Sequence, residues 1–174
     1  SRFRNGDVIP QVTNTNTWTN LTTPAWCYYN NDPANGPIYG KLYNWYAVND
    51  PRGLAPAGWH IPTDPEWTQL TDCLGGEPVA GGKMKSTGTI QAGTGLWESP
   101  NSTATNASGF TGLPAGGRYL AGQFGSVGSE GLWWSSSEDS TIGATTHLLN
   151  YYADFAYIII YYKKGGFSVR CIKD

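Results

Sequence analysis

The sequence predicts an α+β domain in which a few helices and several short strands are joined by long ordered loops. Gly accounts for 23 of the 174 residues, while charged and aromatic residues each make up only 14%. This composition favours a loop-rich fold held by aromatic packing over a helical bundle. One segment carries a full helix-start signal, and strand-like runs alternate with turns towards the carboxyl end. No repeat or domain boundary is visible, so residues 1–174 are predicted to form one domain.

The strongest helix signal begins at Thr63. Thr63 and Glu66 have the spacing of a capping box, and Pro65 suits the first turn because proline lacks the amide donor that a helix start leaves unpaired. Trp67, Leu70 and Leu74 fall on one face, and Gly75-Gly76 ends the segment. We therefore predict a helix over residues 64–74 whose acidic side chains have a structural role.

Two further helices are predicted. In Tyr39–Val48, the spacing of Leu42, Trp45 and Tyr46 is that of a helix face, and the aromatic residues of this segment are expected in the core. Residues Pro78–Ser86 are expected to form a short helix with Met84 inward.

The remaining segments are predicted as strands, turns and loops. Strands are expected at Ala25–Tyr29, Gly109–Pro114, Gly117–Leu120, Leu132–Ser136, Thr145–Asn150, Phe155–Tyr162 and Phe167–Ile172, the last four antiparallel. Pro-Ala-Gly-Gly at 114–117 and residues Gly122–Gly131 are expected to be turns, and Thr13–Thr23 an exposed loop or edge. Thr87–Ala107 is expected to be an ordered loop that a buried Trp97 holds in place.

Charge and composition exclude several classes of protein. The net charge of −2 gives no electrostatic footprint for nucleic acid, and no apolar run has the length of a membrane span. The opening Ser1-Arg2-Phe3-Arg4 shows no signal peptide, as expected of a mature or trimmed chain. The three cysteines, an odd number without a Cys-x-x-Cys spacing, argue against a structural zinc site and leave at least one thiol free.

Candidate catalytic groups are few, and we predict no enzyme activity and no cofactor. No Gly-x-Ser-x-Gly elbow lies between a strand and a helix, and no glycine loop has the Lys-Ser/Thr sequel of a phosphate site. His60 lies just before the helix cap, where a structural hydrogen bond is favoured. The Asn30-Asn31-Asp32 cluster offers oxygens that suit calcium, but Asx turns explain it equally well, so the metal question stays open.

Five stretches resemble one known family. They are Tyr-Gly-Lys-Leu-Tyr-Asn-Trp-Tyr-Ala-Val at 39–48, Gly-Trp-His-Ile-Pro-Thr-Asp-Pro-Glu-Trp at 58–67, Gly-Phe-Thr-Gly-Leu-Pro at 109–114, Trp-Trp-Ser-Ser at 133–136 and Gly-Phe-Ser-Val-Arg-Cys at 166–171. Their order and spacing are similar to those of the Fibrobacter succinogenes major paralogous domain family, over nearly the whole chain. The resemblance implies a C-type lectin-like fold of two helices and a twisted antiparallel sheet, in secreted or surface proteins often from Bacteroidetes, with ligand binding or adhesion as the usual role.

Several family features are absent. Many members have Cys-Pro before Gly-Trp-His, where this chain has Ala55-Pro56. If that cysteine pairs with the one in the closing strand, Cys171 lacks its partner, and Cys27 and Cys73 are alternative partners or free thiols. The calcium motifs of lectins are missing, as is the cysteine pair of the formylglycine-generating enzymes that share the fold. Neither calcium-dependent sugar binding nor that oxidase chemistry therefore carries over.

The tail also resembles the variable region of proteins diversified by retroelements. Their mutagenesis changes adenines, so Asn codons cannot become Lys, Glu, Gln, Met or Trp, and residues 139–162 contain none of these five. An ordinary Tyr- and Ile-rich pair of strands has the same composition.

We expect binding through this tail, where Tyr supplies large contact area at little entropic cost. Tyr151–Asp154 is expected to be a hairpin tip, and one face of Phe155–Tyr162 an exposed patch. The predicted ligand-binding residues are Asp139, Thr141, Thr145, His147, Tyr151, Tyr152, Asp154, Tyr157, Ile159, Tyr161 and Tyr162.

Three functions remain in competition. The first is a non-enzymatic module that binds a surface protein or glycan, secreted or at the cell surface. The second is a structural domain that packs a neighbouring domain or subunit through the same surface, with the oligomeric state left open. The third, weakest, is an enzyme related to formylglycine generation. Trp133-Trp134 is a lesser candidate for a sugar platform, because strand alternation turns at least one ring inward.

Overall fold

A five-stranded sheet organises the carboxyl-terminal half of the protein. The computed structural model describes all 174 residues. The strands lie in the order β5-β4-β6-β7-β8. Their bounds are Ala115–Arg118 (β4), Phe124–Val127 (β5), Glu130–Glu138 (β6), Gly143–Asn150 (β7) and Ala156–Tyr162 (β8). The sheet is mixed, because β4 and β6 run parallel where Gly116 faces Gly131, whereas every other pair is antiparallel. The α+β class is confirmed, but a purely antiparallel sheet is not.

Four short strands form two smaller pairs. Their bounds are Trp26–Cys27 (β1), Leu42–Tyr43 (β2), Trp59–His60 (β3) and Ile172–Lys173 (β9). β1 pairs with β2, and β3 pairs with β9, both antiparallel. The second pair ties the carboxyl-terminal segment to the stretch just before the long helix.

The helices are short. Their bounds are Thr15–Thr19 (α1), Gly36–Tyr39 (α2), Trp45–Val48 (α3), Asp64–Cys73 (α4) and Glu77–Met84 (α5), with single 3-10 turns at Tyr29–Asn31 and Pro33–Asn35. None of these helices combines the length and the apolar character that crossing a bilayer requires.

The helix predicted from Thr63 is confirmed as α4. The Glu66 carboxylate accepts hydrogen bonds from the backbone N–H of Thr63 at 2.8 Å and from its hydroxyl at 2.7 Å. These bonds lower the pKa of Glu66 to about 2. The acidic groups at this helix start therefore have the structural role that the sequence predicted.

The second predicted helix, α5, is also confirmed. Met84 is buried at its end. Gly81 lies so close to the β7–β8 turn that an added Cβ would be 2.5 Å from the carbonyl oxygens of Asp154 and Phe155. The glycine at position 81 thus permits a close approach between the helix and the turn.

Trp133 and Trp134 divide the core between the two faces of β6. Successive side chains of a strand point to opposite faces. Trp134 therefore packs with Trp45 and Phe167 on one face, and Trp133 packs with Trp67 and Phe110 on the other. Both tryptophans are buried, so the sugar-platform hypothesis is wrong.

The helix predicted over Tyr39–Val48 is wrong as a single element. Gly40 has a φ of 79°, which ends α2, and Leu42–Tyr43 is strand β2. A new helix starts at Asn44, whose side-chain oxygen accepts from the backbone N–H of Ala47 at 3.2 Å. The aromatic residues nevertheless lie in or near the core, as expected.

Thr13–Thr23 is not a plain exposed loop. It contains α1, which Asn14 caps and which buries Trp18 completely. The indole N–H of Trp18 donates to the carbonyl of Lys164 at 2.8 Å, and the Arg118 guanidinium lies 4.5 Å above the ring. A single large side chain thus anchors an otherwise polar segment.

Two predicted turns contain strands. Pro-Ala-Gly-Gly leads into β4, where an added Cβ at Gly117 would lie 2.5 Å from the Phe167 ring, so glycine here permits close packing. Residues 124–127 within the second predicted turn form β5. Conversely, the strand predicted at Phe167–Ile172 is regular only at Ile172.

The segment Thr87–Ala107 has the anchor that was predicted. Trp97 is fully buried, and its indole N–H donates to the Gly112 carbonyl and the Ser86 hydroxyl, both at 3.1 Å. The three cysteines form no disulfide.

Candidate binding surface

The eleven predicted ligand-binding residues differ in their exposure to solvent. Asp139, Thr141, Tyr152 and Tyr162 are exposed; Tyr151, Asp154, Tyr157, Ile159 and Tyr161 are half-buried; Thr145 and His147 are buried. Tyr152 is 64% exposed and Tyr162 is 47% exposed, so an accessible tyrosine surface exists at the tip and at the end of β8.

The structure corrects the prediction that Thr145 and His147 contact a ligand, because every residue of β7 is buried. The His147 ring stacks on Trp67 at 4.5 Å, and its Nε2 lies 3.0 Å from the Asp64 carboxylate. Burial lowers the pKa of His147 to about 4, against the opposing effect of Asp64. His147 therefore couples β7 to the start of α4 and is not available to a ligand.

Asp154 lies on the side of the hairpin tip that packs against α5. It lies next to Gly82 of α5, and its Oδ1 is buried without a hydrogen-bond partner. Lys85, which is fully buried, reaches the same turn and donates to the carbonyls of Asn150 and Ala153. The turn Tyr151–Phe155 is thus held from below, and Tyr152 projects from it. The predicted hairpin tip is confirmed.

Alternation along β8 separates an inner from an outer face. Tyr157, Ile159 and Tyr161 pack against the core cluster of Trp134 and Phe167. Of the other four side chains, Ala156 is buried, whereas Ile158, Ile160 and Tyr162 are 41%, 47% and 47% exposed. The exposed apolar patch that the sequence predicted therefore exists, but two of its members, Ile158 and Ile160, were not among the predicted residues.

β8 is also an edge strand, because β7 is its only neighbour in the sheet. The Lys163 N–H donates to the Ile142 carbonyl at 2.9 Å, so these two opposite residues are a hydrogen-bonded pair of the β7–β8 ladder. In an antiparallel pair, bonded and non-bonded residues alternate. Tyr157, Ile159 and Tyr161 therefore bond to β7, and the backbone groups of Ile158 and Ile160 point away from the sheet.

An apolar cavity of about 370 Å³ lies at the end of this edge. Its lining includes Tyr119, Leu120, Ile160, Tyr161, Tyr162 and Phe167. The Tyr161 ring forms one wall, 4.8 Å from the ring of Phe167. The edge and the cavity together form what we call the β8 surface: Tyr152, Phe155, Ile158, Ile160, Tyr162 and this cavity.

Ser137, Glu138 and His60 all form hydrogen bonds or ion pairs within the protein. Ser137 Oγ accepts from the backbone N–H of Asp64 at 2.9 Å, and the Glu138 carboxylate pairs with Lys163. His60 lies between Asp174 at 2.7 Å and Glu66 at 2.9 Å, and both bonds raise its pKa. No three His, Cys, Asp or Glu side chains lie close enough together to hold a metal ion.

A cleft on another part of the molecule had no signal in the sequence. Two cavities of about 520 and 380 Å³ meet at Phe110 and Arg170, which line both. Tyr39 and Lys41 contribute to the larger cavity, and Trp59 contributes to the smaller one. These residues come from distant segments, so no periodicity or local spacing connects them.

Comparison with known proteins identifies the family. The model of the Fibrobacter succinogenes major domain matches residues 1–173. No curated protein and no solved structure matches the chain. Because the match covers almost every residue, the chain belongs to the Fibrobacter succinogenes major domain family.

Proposed function

We propose that this protein is a non-enzymatic binding domain that recognises another protein through the β8 surface. The observation that carries the proposal is an unpaired strand edge whose outward backbone groups belong to Ile158 and Ile160, the residues whose side chains are exposed. Natural proteins usually protect such edges with charges, proline or bulges. Residues 155–162 contain neither a charged residue nor proline.

The chemistry of this surface favours an extended protein segment over a glycan. An added strand would satisfy the outward N–H and C=O groups of β8, and its alternate side chains would meet Ile158, Ile160 and Tyr162. The apolar cavity beside Tyr161 could accommodate one apolar side chain at the end of that added strand. Isoleucine side chains have no polar group with which to recognise sugar hydroxyls.

The test uses a displayed library of random extended peptides against the purified domain. We expect enrichment of peptides with alternating apolar residues, and loss of their binding in Ile160→Lys. Ile90→Lys is the matched control, because Ile90 is 49% exposed and does not line the β8 surface, whereas Ile160 is 47% exposed on the edge. Equal binding by the two variants, or selection of peptides without strand periodicity, would contradict the proposal.

Self-association through the same edge is the competing function. An antiparallel pair of two β8 edges would place Ile158 of one copy near Ile160 of the other, which is the self-complementarity that a two-fold interface needs. Sedimentation of the wild type and of Ile160→Lys separates the two functions. A stable dimer that the substitution dissolves would favour assembly, whereas a monomer that binds peptide supports recognition of a partner.

The resemblance to secreted and surface proteins supports an extracellular location and a role in adhesion. Fractionation of the producing cells tests this location. The C-type lectin-like topology stays a proposal as well. The pair of helices α4 and α5 against one sheet supports it, and an experimental structure compared with lectin domains would test it.

Retroelement diversification of residues 139–162 is proposed on composition alone. The structure limits where such variation could be tolerated. Gly143–Asn150 is buried throughout, so substitutions there would disturb the core, whereas the tip and the outer face of β8 could change freely. A reverse transcriptase gene with an Asn-rich near-copy of the tail beside the coding sequence would support diversification, and its absence would argue against it.

A further inference from the structure

The double cleft at Phe110 and Arg170 has an unusual concentration of unpaired positive charge. Of the 11 Lys and Arg side chains, eight donate a hydrogen bond or form an ion pair within the protein. The three that do neither are Lys41, Arg170 and Lys173. All three line this cleft.

Aromatic rings hold two of these cations in place without using their hydrogen-bond donors. The Lys41 ammonium lies 4.6 Å from the centre of the Trp26 ring, and the Arg170 guanidinium lies 4.9 Å from that of Phe110. A cation on a ring face keeps its N–H groups free for another acceptor. Arg170 stands where the two cavities meet, so its donors are within reach of a ligand that occupies either one.

No carboxylate of the protein competes for these cations in the larger cavity, whose lining contains no Asp or Glu. In the smaller cavity the only acidic residue is Glu66. Its carboxylate already accepts from Thr63 and contacts His60. The cleft is therefore a positive site on a chain whose net charge is −2.

The rest of the lining combines aromatic surface with hydroxyl groups. Trp59 is 41% exposed at the smaller cavity, and Tyr28 and Tyr39 line the larger one. Thr111 and Ser168 add hydroxyls to the larger cavity. A sugar ring presents an apolar C–H face and a rim of hydroxyls, so it matches exposed aromatic rings beside polar groups.

We propose that this cleft binds a saccharide chain that carries carboxylate groups, such as a uronate polymer. Arg170 would hold a carboxylate through two parallel N–H bonds, while Lys41 and Lys173 would meet acidic groups on either side. The site shares no residue with the β8 surface, so the two proposals stand or fall separately.

The probe is an oligogalacturonate, measured by isothermal titration calorimetry against its carboxyl-reduced counterpart and against oligoglutamate. We expect the uronate to bind, the reduced neutral chain to bind at least about tenfold more weakly, and the affinity to fall as salt is added. Arg170→Gln should weaken uronate binding by about tenfold, whereas Arg170→Lys should retain a larger share because it keeps the charge.

Lys41→Gln and Lys173→Gln should each weaken binding several-fold. Lys164→Gln is the matched control, because Lys164 bonds to the Thr19 carbonyl away from the cleft and its loss should leave the affinity unchanged. Thermal midpoints of the Lys41, Arg170 and Lys173 variants should stay close to that of the wild type, since these three side chains have no hydrogen bond or ion pair within the protein to lose. Absence of uronate binding, equal binding of the reduced chain, or tighter binding of oligoglutamate would overturn the proposal.

Discussion

The Lys85 ammonium lies 2.8 Å from the carbonyl oxygen of Ala153, at the turn that joins β7 to β8. It also donates to the Asn150 carbonyl at 3.0 Å. Lys85 is fully buried, and this burial lowers its pKa. Burying a charged group is costly unless hydrogen bonds compensate for the lost water, and these two carbonyls supply such bonds to Lys85. The bonds thus fix the base of the tip from which Tyr152 projects.

Replacing Lys85 by Met should therefore destabilise the protein. Met has a similar volume but no donor, so the Ala153 carbonyl loses its hydrogen bond from Lys85, and the Asn150 carbonyl keeps only the long one from the Ala153 N–H at 3.4 Å. We expect the free energy of unfolding to fall by about 1–3 kcal/mol. Lys83→Met is the control, because Lys83 is half-exposed and makes one bond, to the Leu74 carbonyl. Chemical denaturation should show a smaller loss for the control; an equal loss would argue against a special role for Lys85.

Gly81 in α5 should be intolerant of even one added methyl group. The Cβ of alanine would meet the carbonyl oxygens of Asp154 and Phe155 at 2.5 Å, so the helix or the turn must move. We expect Gly81→Ala to cost about 1–3 kcal/mol despite the better helix propensity of alanine. Val79→Ala, at an exposed position of the same helix, should change stability by much less. A stabilised Gly81→Ala protein would show that the contact is looser than described.

His147 should make stability depend on pH in a defined window. Its folded pKa is lowered from an ordinary value of 6.5 to about 4, so between these values the unfolded chain binds the proton more tightly. The unfolding free energy should therefore rise with pH through this window and fall by up to about 3 kcal/mol as pH drops from 6.5 to 4. Equilibrium urea denaturation across this range measures the slope.

The variant His147→Phe keeps a ring against Trp67 and removes the titrating group, so its stability should be flatter with pH than that of the wild type. His60 must be separated from this effect, because Asp174 and Glu66 raise its pKa and give its contribution the opposite sign. His60→Gln should accordingly leave the His147 slope in place. If wild type and His147→Phe show the same pH dependence, burial of a neutral imidazole is not the cause.

Local signals in the sequence predicted the parts of the fold that depend on neighbouring residues. The capping residues Thr63 and Glu66 predicted α4, and the large apolar Trp97 predicted an anchored loop. Both signals act within a short stretch, so they do not depend on the rest of the fold. The helix assigned to Tyr39–Val48 failed because Gly40 and Asn44 divide it, although its aromatic spacing is helical.

The candidate sites were less predictable because long-range packing decides them. Alternation along β8 showed that two faces exist but not which one the core covers. α5 lies against the start of the strand at Gly81 and Phe155, and the exposed outer face continues beyond that contact at Ile158 and Ile160. The cleft around Arg170 unites residues that are far apart in sequence. Lys41, Arg170 and Lys173 are distinguished only by the absence of a hydrogen bond or ion pair within the protein. That absence can be seen only in the three-dimensional structure.

Trp97 offers a test of the loop that was predicted from a single side chain. Its ring is fully buried, and its N–H bonds to Gly112 and Ser86 join the loop to the strand-like segment beneath it. We expect Trp97→Ala to cost about 3–5 kcal/mol and to make residues 87–107 the first site of proteolytic cleavage. Trp97→Phe should keep most of the packing but lose the N–H bonds. Its free energy of unfolding should therefore lie between those of the wild type and Trp97→Ala. Limited proteolysis with mass spectrometry locates the first cut; cleavage elsewhere in Trp97→Ala would show that other contacts hold the loop.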